Sequence, residues 1–276
     1  FIIKIKTESS NSISKKIKSV LLNVEYQNKV LIIKNFLNNT EIQCIFNEVR
    51  NLLLNNGLGR KNYNKFCKNF YHMEENTKED DLKRLDRNEP LRPRNQRVFK
   101  LLPWNNYRQD LIKLVKRISI FRNIIGGRSK YYGLNIKHGY FNFIQVIQYQ
   151  PGLGYIAKHN DKHFYNKYSI SSPFEMLVML STRGKDYAKG GLFIERDNEI
   201  IDLEEHLQAG DIVVYNVKNN HGVKKVFNYK ANLEDFNNPS SKLLNGRISL
   251  LVTPYLISST LGEKTINTKN FKSWIY

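Results

Sequence analysis

Residues 139–161 read GYFNFIQVIQYQPGLGYIAKHND, and the way this stretch folds decides the protein. Its first half alternates. Phe141, Phe143, Gln145, Ile147 and Tyr149 fall on one face of an extended chain, because successive strand side chains point to opposite sides. A glycine-containing turn follows, and then His159-Asn160-Asp161. If that segment is also extended, His159 and Asp161 share a side, and an imidazole nitrogen and a carboxylate oxygen can reach one metal ion.

Downstream, PFEMLVMLS, GGLFIER, NEIIDL, GDIVVYN, HGVKKV and RISLLVTPY are short apolar runs separated by Gly, Asn and Asp turns. Short strands at such regular spacing indicate a β-sandwich or barrel. There is no βαβ alternation and no glycine-rich phosphate loop, which disfavours a nucleotide-binding α/β fold.

Upstream the period changes. VLIIKNF at 30–36 reads as a strand. In LNNTEIQCIFNEVRNLLLNNG, Ile42, Ile45, Phe46, Val49, Leu52 and Leu53 recur at helical spacing; Thr40 with Gln43 matches a capping box, and Gly57 follows the end. Residues 105–125 predict a second amphipathic helix with Leu111, Leu114, Val115, Ile118 and Phe121 on one face, ended by GGR at 126–128. Residues 1–29 read as polar and irregular, with helical character in SKKIKSVLLNV. Residues 58–98 are highly charged and read as a surface segment or lid. We expect one domain over 1–276, with 30–128 as support and 139–256 as the core.

The chain of 276 residues carries a net charge of +19, a field that favours anionic partners. The positive charges are scattered through a chain rich in both Lys and Asn, without a dense basic block, so nucleic acid is disfavoured as the partner. Cys44 and Cys67 form no CxxC pair, which excludes a cysteine zinc site and fits a reducing, cytoplasmic setting. No apolar run is long enough to span a bilayer, and FIIKIKTESS lacks the h-region of a signal peptide.

A metal held by His159 and Asp161 needs a third ligand from another strand, and His221 in GDIVVYNVKNNHGVKKV is the best candidate. Two histidines and one carboxylate make the facial triad of non-haem iron oxygenases, although zinc hydrolases use similar sets. Arg247 and Ser249 share a strand face in GRISLLVTPY, and a guanidinium with an adjacent hydroxyl can grip a carboxylate. Tyr149 can add a phenol hydrogen bond. A carboxylate clamp beside an iron triad suggests a dicarboxylic keto acid. His163 flanks the site, Gln145 shares the face of Tyr149, and His138 and His206 have no partners in a recognisable pattern.

The whole set resembles the Fe(II)/2-oxoglutarate-dependent dioxygenases, above all their prolyl-hydroxylase-like branch. The motifs are the tyrosine strand with its glycine turn and HxD, the Gly190-Gly191 pair entering a strand, Gly210-Asp211 before the distal histidine, and Arg247-x-Ser249. The match covers roughly residues 140–256. It implies a double-stranded β-helix (jelly-roll, cupin-like) core with N-terminal amphipathic helices bracing it. It implies Fe(II) on His159, Asp161 and His221, with 2-oxoglutarate on Arg247, Ser249 and Tyr149. Oxygen would be consumed, succinate and CO2 released, and a C–H of the substrate hydroxylated. Asp161 argues for hydroxylation, since halogenating members replace this carboxylate by a small residue. The implied substrate is a small molecule such as an amino acid or natural product, with a peptide side chain as the alternative. Nucleic-acid demethylases of the superfamily carry a second arginine where this chain has Thr253. The stretch between His221 and Arg247 is longer than the family usually shows, and 227–246 reads as an inserted loop.

Overall fold

The computed structural model describes residues 2–6, 29–56, 70–73, 96–103, 106–135, 140–152, 154–161, 174–228 and 244–256. Val30, Leu31, Ile32 and Ile33 are all fully buried on one strand, β2 (Val30–Lys34). A strand buries every side chain only where both faces of its sheet are covered. Leu31 and Ile33 join a core shared with two helices, α1 (Asn39–Asn56) and α2 (Gln109–Ile125). Val30 and Ile32 join a different core, shared with a second sheet.

Seven strands accompany β2 in the large sheet: β1 (Ile2–Lys6), β3 (Phe70–Met73), β4 (Gln96–Leu101), β5 (Tyr140–Tyr149), β7 (Phe174–Met179), β10 (Ile212–Asn216) and β12 (Arg247–Leu256). Their order is β1-β2-β10-β7-β12-β5-β4-β3. The facing sheet has β6 (Ile156–His159), β8 (Lys189–Arg196), β9 (Glu199–Asp202) and β11 (His221–Phe227), in the order β6-β11-β8-β9. Among the named strands, every pairing but the parallel β1-β2 is antiparallel. This is the expected double-stranded β-helix, mainly β, with amphipathic helices against the outer face of its large sheet.

The helices sit as their periodicity requires. Ile42, Ile45, Val49, Leu52 and Leu53 of α1 and Leu111, Leu114, Val115 and Ile118 of α2 are buried; Phe46 and Phe121 are partly so. Arg117 pairs with Glu41 at 2.7 Å to join the helices, and the Arg122 Nε–H donates to the Val252 carbonyl at 3.1 Å to tie α2 to β12.

Three local readings are corrected. The capping box is Asn38 with Glu41, not Thr40 with Gln43. Glu41 N–H donates to Asn38 Oδ1 at 2.9 Å, and Asn38 N–H donates to Glu41 Oε2 at 3.0 Å. Residues 2–6, read as irregular, form edge strand β1. The charged segment 58–98 is not all surface or lid. Residues 70–73 and 96–98 lie in β3 and β4, with Gln96, Arg97 and Val98 buried. The remainder of that segment, the helical stretch SKKIKSVLLNV, most of the inserted loop, Gly57, Cys67, His138 and His163 lie outside the described residues.

Two turns explain their sequences. Asp197 and Asn198 take φ of 51° and 65° in the two-residue hairpin between β8 and β9, where short polar side chains tolerate left-handed backbone. Gly210 has φ 94°, and a Cβ there would stand 2.3 Å from the Leu37 carbonyl oxygen. Its neighbour Asp211 is fully buried. It accepts from Lys34 Nζ, from Asn35 N–H at 2.9 Å and from Gln208 N–H at 2.8 Å, pinning β10 to the chain between β2 and α1.

Removing the Asp211 carboxylate leaves two backbone donors and an ammonium without their shared acceptor. Asp211→Ala is expected to lower stability by about 3–5 kcal/mol in urea unfolding, the scale for breaking a buried pair. Asn38→Ala is expected to cost about 1 kcal/mol as a lost cap, and Thr40→Ala no more than about 0.5 kcal/mol.

Candidate metal centre

The pairing of β6 with β11 sets His159 directly opposite His221. Their ring centroids are 4.4 Å apart. Asp161 follows just beyond β6, its N–H donating to the Val217 carbonyl at 3.1 Å. Asp161 Oδ2 lies 3.3 Å from His221 Nε2, and Asp161 Oδ1 lies 3.8 Å from His159 Nε2. One donor atom from each of the three residues falls within 4.8 Å of the others.

The tautomers follow from the backbone. His159 Nδ1 is 2.8 Å from the Ala157 carbonyl oxygen and His221 Nδ1 is 3.0 Å from that of Asn219. A carbonyl only accepts, so each Nδ1 carries the proton and donates. In the neutral imidazoles both Nε2 lone pairs then face Asp161, the arrangement by which proteins orient metal-binding imidazoles. Three Lewis bases held this close fit a cation.

The charges act on each other strongly because the site is largely buried. In the metal-free site His221 takes a second proton on Nε2: burial by itself pushes the Asp161 carboxyl up, but the hydrogen bond and charge of that imidazolium, with His159, hold it below the usual carboxylate range. Burial pulls His221 down, yet Asp161 outweighs it and raises this imidazole. His159 is lowered by burial and then by its histidine neighbour.

Flanking contacts hold the frame. Glu195 of β8 accepts from Lys158 Nζ at 2.6 Å and from Asn220 Nδ2 at 2.8 Å, clipping together the two ends that carry the histidines. The Tyr215 ring packs 4.9 Å from that of His221.

Arg247, Ser249 and Tyr149 also come together. Arg247 pairs with Tyr149 across β12 and β5, its guanidinium 5.9 Å from the phenol ring, and the Arg247 Nη1–H donates to Ser249 Oγ at 3.3 Å. All three side chains are buried. The Tyr149 hydroxyl accepts from Gln96 Nε2 at 2.9 Å, and burial pushes its pKa up to about 12, against the pull of Arg247. Gln145 lies further along the same face, opposite Lys100 and Leu251. His206 is remote; its Nδ1 is 3.4 Å from Lys4 Nζ.

Two residues near Arg247 escaped sequence reading. Glu204 accepts from Arg247 Nε–H at 3.2 Å, and Tyr187 donates its hydroxyl to the same carboxylate. Burial alone would lower the Arg247 guanidinium; the Glu204 charge outweighs it and raises the pKa. The only local signal was the Gly190-Gly191 pair, since a Cβ on Gly191 would stand 2.6 Å from Glu204 Cγ.

A double-stranded β-helix with two histidines and an aspartate converging from the smaller sheet is therefore the class of structure. No protein-family model matches the chain, and no curated protein does. Among solved structures, the fold is similar to a prolyl-4-hydroxylase of Pseudomonas putida. That match has TM-score 0.53 and 14% identity, and covers 87% of this chain and 98% of that one. It is equally similar to a Caulobacter crescentus protein assigned to the 2OG-Fe(II) oxygenase family, with TM-score 0.54 and 9% identity over 93% of this chain and 87% of that one.

Titration of metal-free protein with Co(II), followed by its visible absorption, is expected to show one high-affinity site. His159→Ala, Asp161→Ala and His221→Ala are each expected to weaken it by more than about 100-fold, because even partners one layer out from a metal are worth about 10–100-fold.

Proposed function

We propose that the protein is an Fe(II)- and 2-oxoglutarate-dependent dioxygenase that hydroxylates a C–H of a small molecule, such as an amino acid or natural product. The observation that carries this reading is His159 opposite His221, with both Nδ1 atoms engaged and both Nε2 atoms facing Asp161. The fold likeness to the Pseudomonas prolyl-4-hydroxylase and the Caulobacter protein supports it.

His159, Asp161 and His221 would hold the metal and leave the rest of its coordination sphere open. Iron, when bound, would activate O2 as the oxidant, and 2-oxoglutarate would supply two of the four electrons O2 takes up, leaving as succinate and CO2. The chain's own residues bind and orient. Arg247 still turns its Nη1 and Nη2 edge to poor partners, Ser249 Oγ at 3.3 Å and Met179 Sδ at 3.7 Å. A buried guanidinium so placed fits a carboxylate, taken by both nitrogens at once. Ser249 would add a hydroxyl. Tyr149, already accepting from Gln96, keeps its own O–H to donate. Burial of all three keeps water from competing for the keto acid.

The substrate reading rests on the inner face of the large sheet. Lys100, Glu175 and Tyr215 are buried there with Arg247, Ser249 and Thr253, and Gln145 is partly buried. Charged groups at such positions suit a small polar or anionic molecule. The likeness to a prolyl-4-hydroxylase favours a second reading, oxidation of a peptide side chain.

Under anaerobic conditions, Fe(II) and 2-oxoglutarate added to metal-free protein are expected to give a weak visible metal-to-ligand charge-transfer band. Asp161→Ala should abolish it. Arg247→Ala should weaken keto-acid binding by about 30-fold or more, the scale of a lost buried charged contact. Absence of the band in metal-loaded wild-type protein would sink the assignment. Succinate release with panels of amino acids and of peptides then separates the two substrate readings.

A further inference from the structure

Arg247 does not wait for its ligand as an isolated cation. Its Nε–H donates to Glu204 Oε2, and both side chains are only 1% exposed. Every side of that carboxylate is fixed. Oε2 also accepts the Leu192 N–H at 2.6 Å, and Oε1 accepts the Tyr187 hydroxyl. The Glu204 backbone opens a short 3-10 turn, Glu204–His206, with its N–H donating to Asp202 Oδ1 at 3.0 Å; Asp202 is paired in turn with Arg183 at 2.7 Å. Gly191, with φ 116°, supplies the space, since a Cβ there would meet Glu204 Cδ at 2.7 Å. The neighbouring Glu205 points out, its side chain 64% exposed.

We infer that Glu204 is a positioning residue that orients the guanidinium of Arg247 and, through its charge, limits how tightly that guanidinium holds an anionic ligand group. This rests on the reading of Arg247 as the anchor for the far carboxylate of the keto acid. Nε is spoken for, so the guanidinium is held with its Nη1–Nη2 edge turned toward Ser249 and Met179. The same contact means that an incoming carboxylate meets a cation already balanced by one anion. Two carboxylates then flank one guanidinium in a buried setting, where like charges oppose each other more strongly than in water. Such a site releases its dicarboxylate more readily than a bare buried arginine would. Tyr187 moderates the opposition, because its hydroxyl proton is turned onto Glu204 and screens part of the negative charge.

Glu204→Gln keeps the shape and the acceptor for Arg247 but removes the charge. Binding is read by anaerobic titration of the Fe(II)-loaded protein with 2-oxoglutarate and with 2-oxobutyrate, which lacks the far carboxylate. Glu204→Gln is expected to tighten 2-oxoglutarate by about tenfold or more and to leave 2-oxobutyrate unchanged. Tyr187→Phe, which removes the screening proton, is expected to weaken 2-oxoglutarate alone, and serves where Glu204→Gln does not fold. A residue with a merely structural role would weaken both acids together. Unchanged or weaker 2-oxoglutarate binding in Glu204→Gln, or unchanged or tighter binding in Tyr187→Phe, overturns the inference while the oxygenase reading stands. Failure of the wild-type protein to bind either acid overturns both.

Discussion

The large sheet must be covered on both faces, and the rest of the structure answers that constraint. Its central strands carry apolar side chains at odd and even positions alike, as Val30 to Ile33 do. One face takes the helices α1 and α2, the other takes the smaller sheet. Covering the outer face frees the inner face to be partly polar, because the hydrophobic burial that drives folding is supplied largely on the other side. The candidate centre occupies this inner space, its histidines contributed by the smaller sheet and its arginine by the large one.

Polar groups survive there because they are partnered. A buried charge without a partner costs several kcal/mol, whereas a satisfied network holds one arrangement. Asp211 gathers Lys34 and two backbone donors. Glu204 gathers Tyr187, Leu192 and Arg247. The glycines of the GD and GG motifs serve these two acids and their turns. Gly210 lets the chain pass the Leu37 carbonyl, and Gly191 leaves room for a carboxylate. Both motifs thus express close packing around buried acids. Asp161 differs in kind, since its neighbours are two imidazoles, which can give up a proton and offer lone pairs to a metal, rather than a permanent cation.

Much of this was legible in the chain itself. Alternation in GYFNFIQVIQYQ marked β5 and its inward face, because a strand's two-residue period survives in any context. The helical spacing of Ile42 to Leu53 and of Leu111 to Phe121 marked the two helices for the same reason. His159, Asp161 and His221 were legible as donors of the right chemistry, and their meeting followed once both flanking segments were strands. The cap of α1 was misplaced by two residues, because Asn38 and Thr40 are both competent caps and only the hydrogen bonds distinguish them. β1, β3 and β4 were missed: β1 and β3 are edge strands, which draw their definition from a partner rather than from their own pattern, and β4 begins in a charged stretch whose burial comes only from pairing with β5 and β3.

The sequence by itself determined the period of each main element, the ligand types and the order in which they occur, since these depend on residues close together in the chain. Only the tertiary structure decided which of two adjacent glutamates faces Arg247. Glu204 and Glu205 are chemically identical, and their difference arises from the 3-10 turn that aims one at a guanidinium 43 residues away and the other at solvent. It likewise decided that Gln96, in a charged stretch, would meet Tyr149. Contacts between remote segments are set by strand order and register, and no local pattern carries that information.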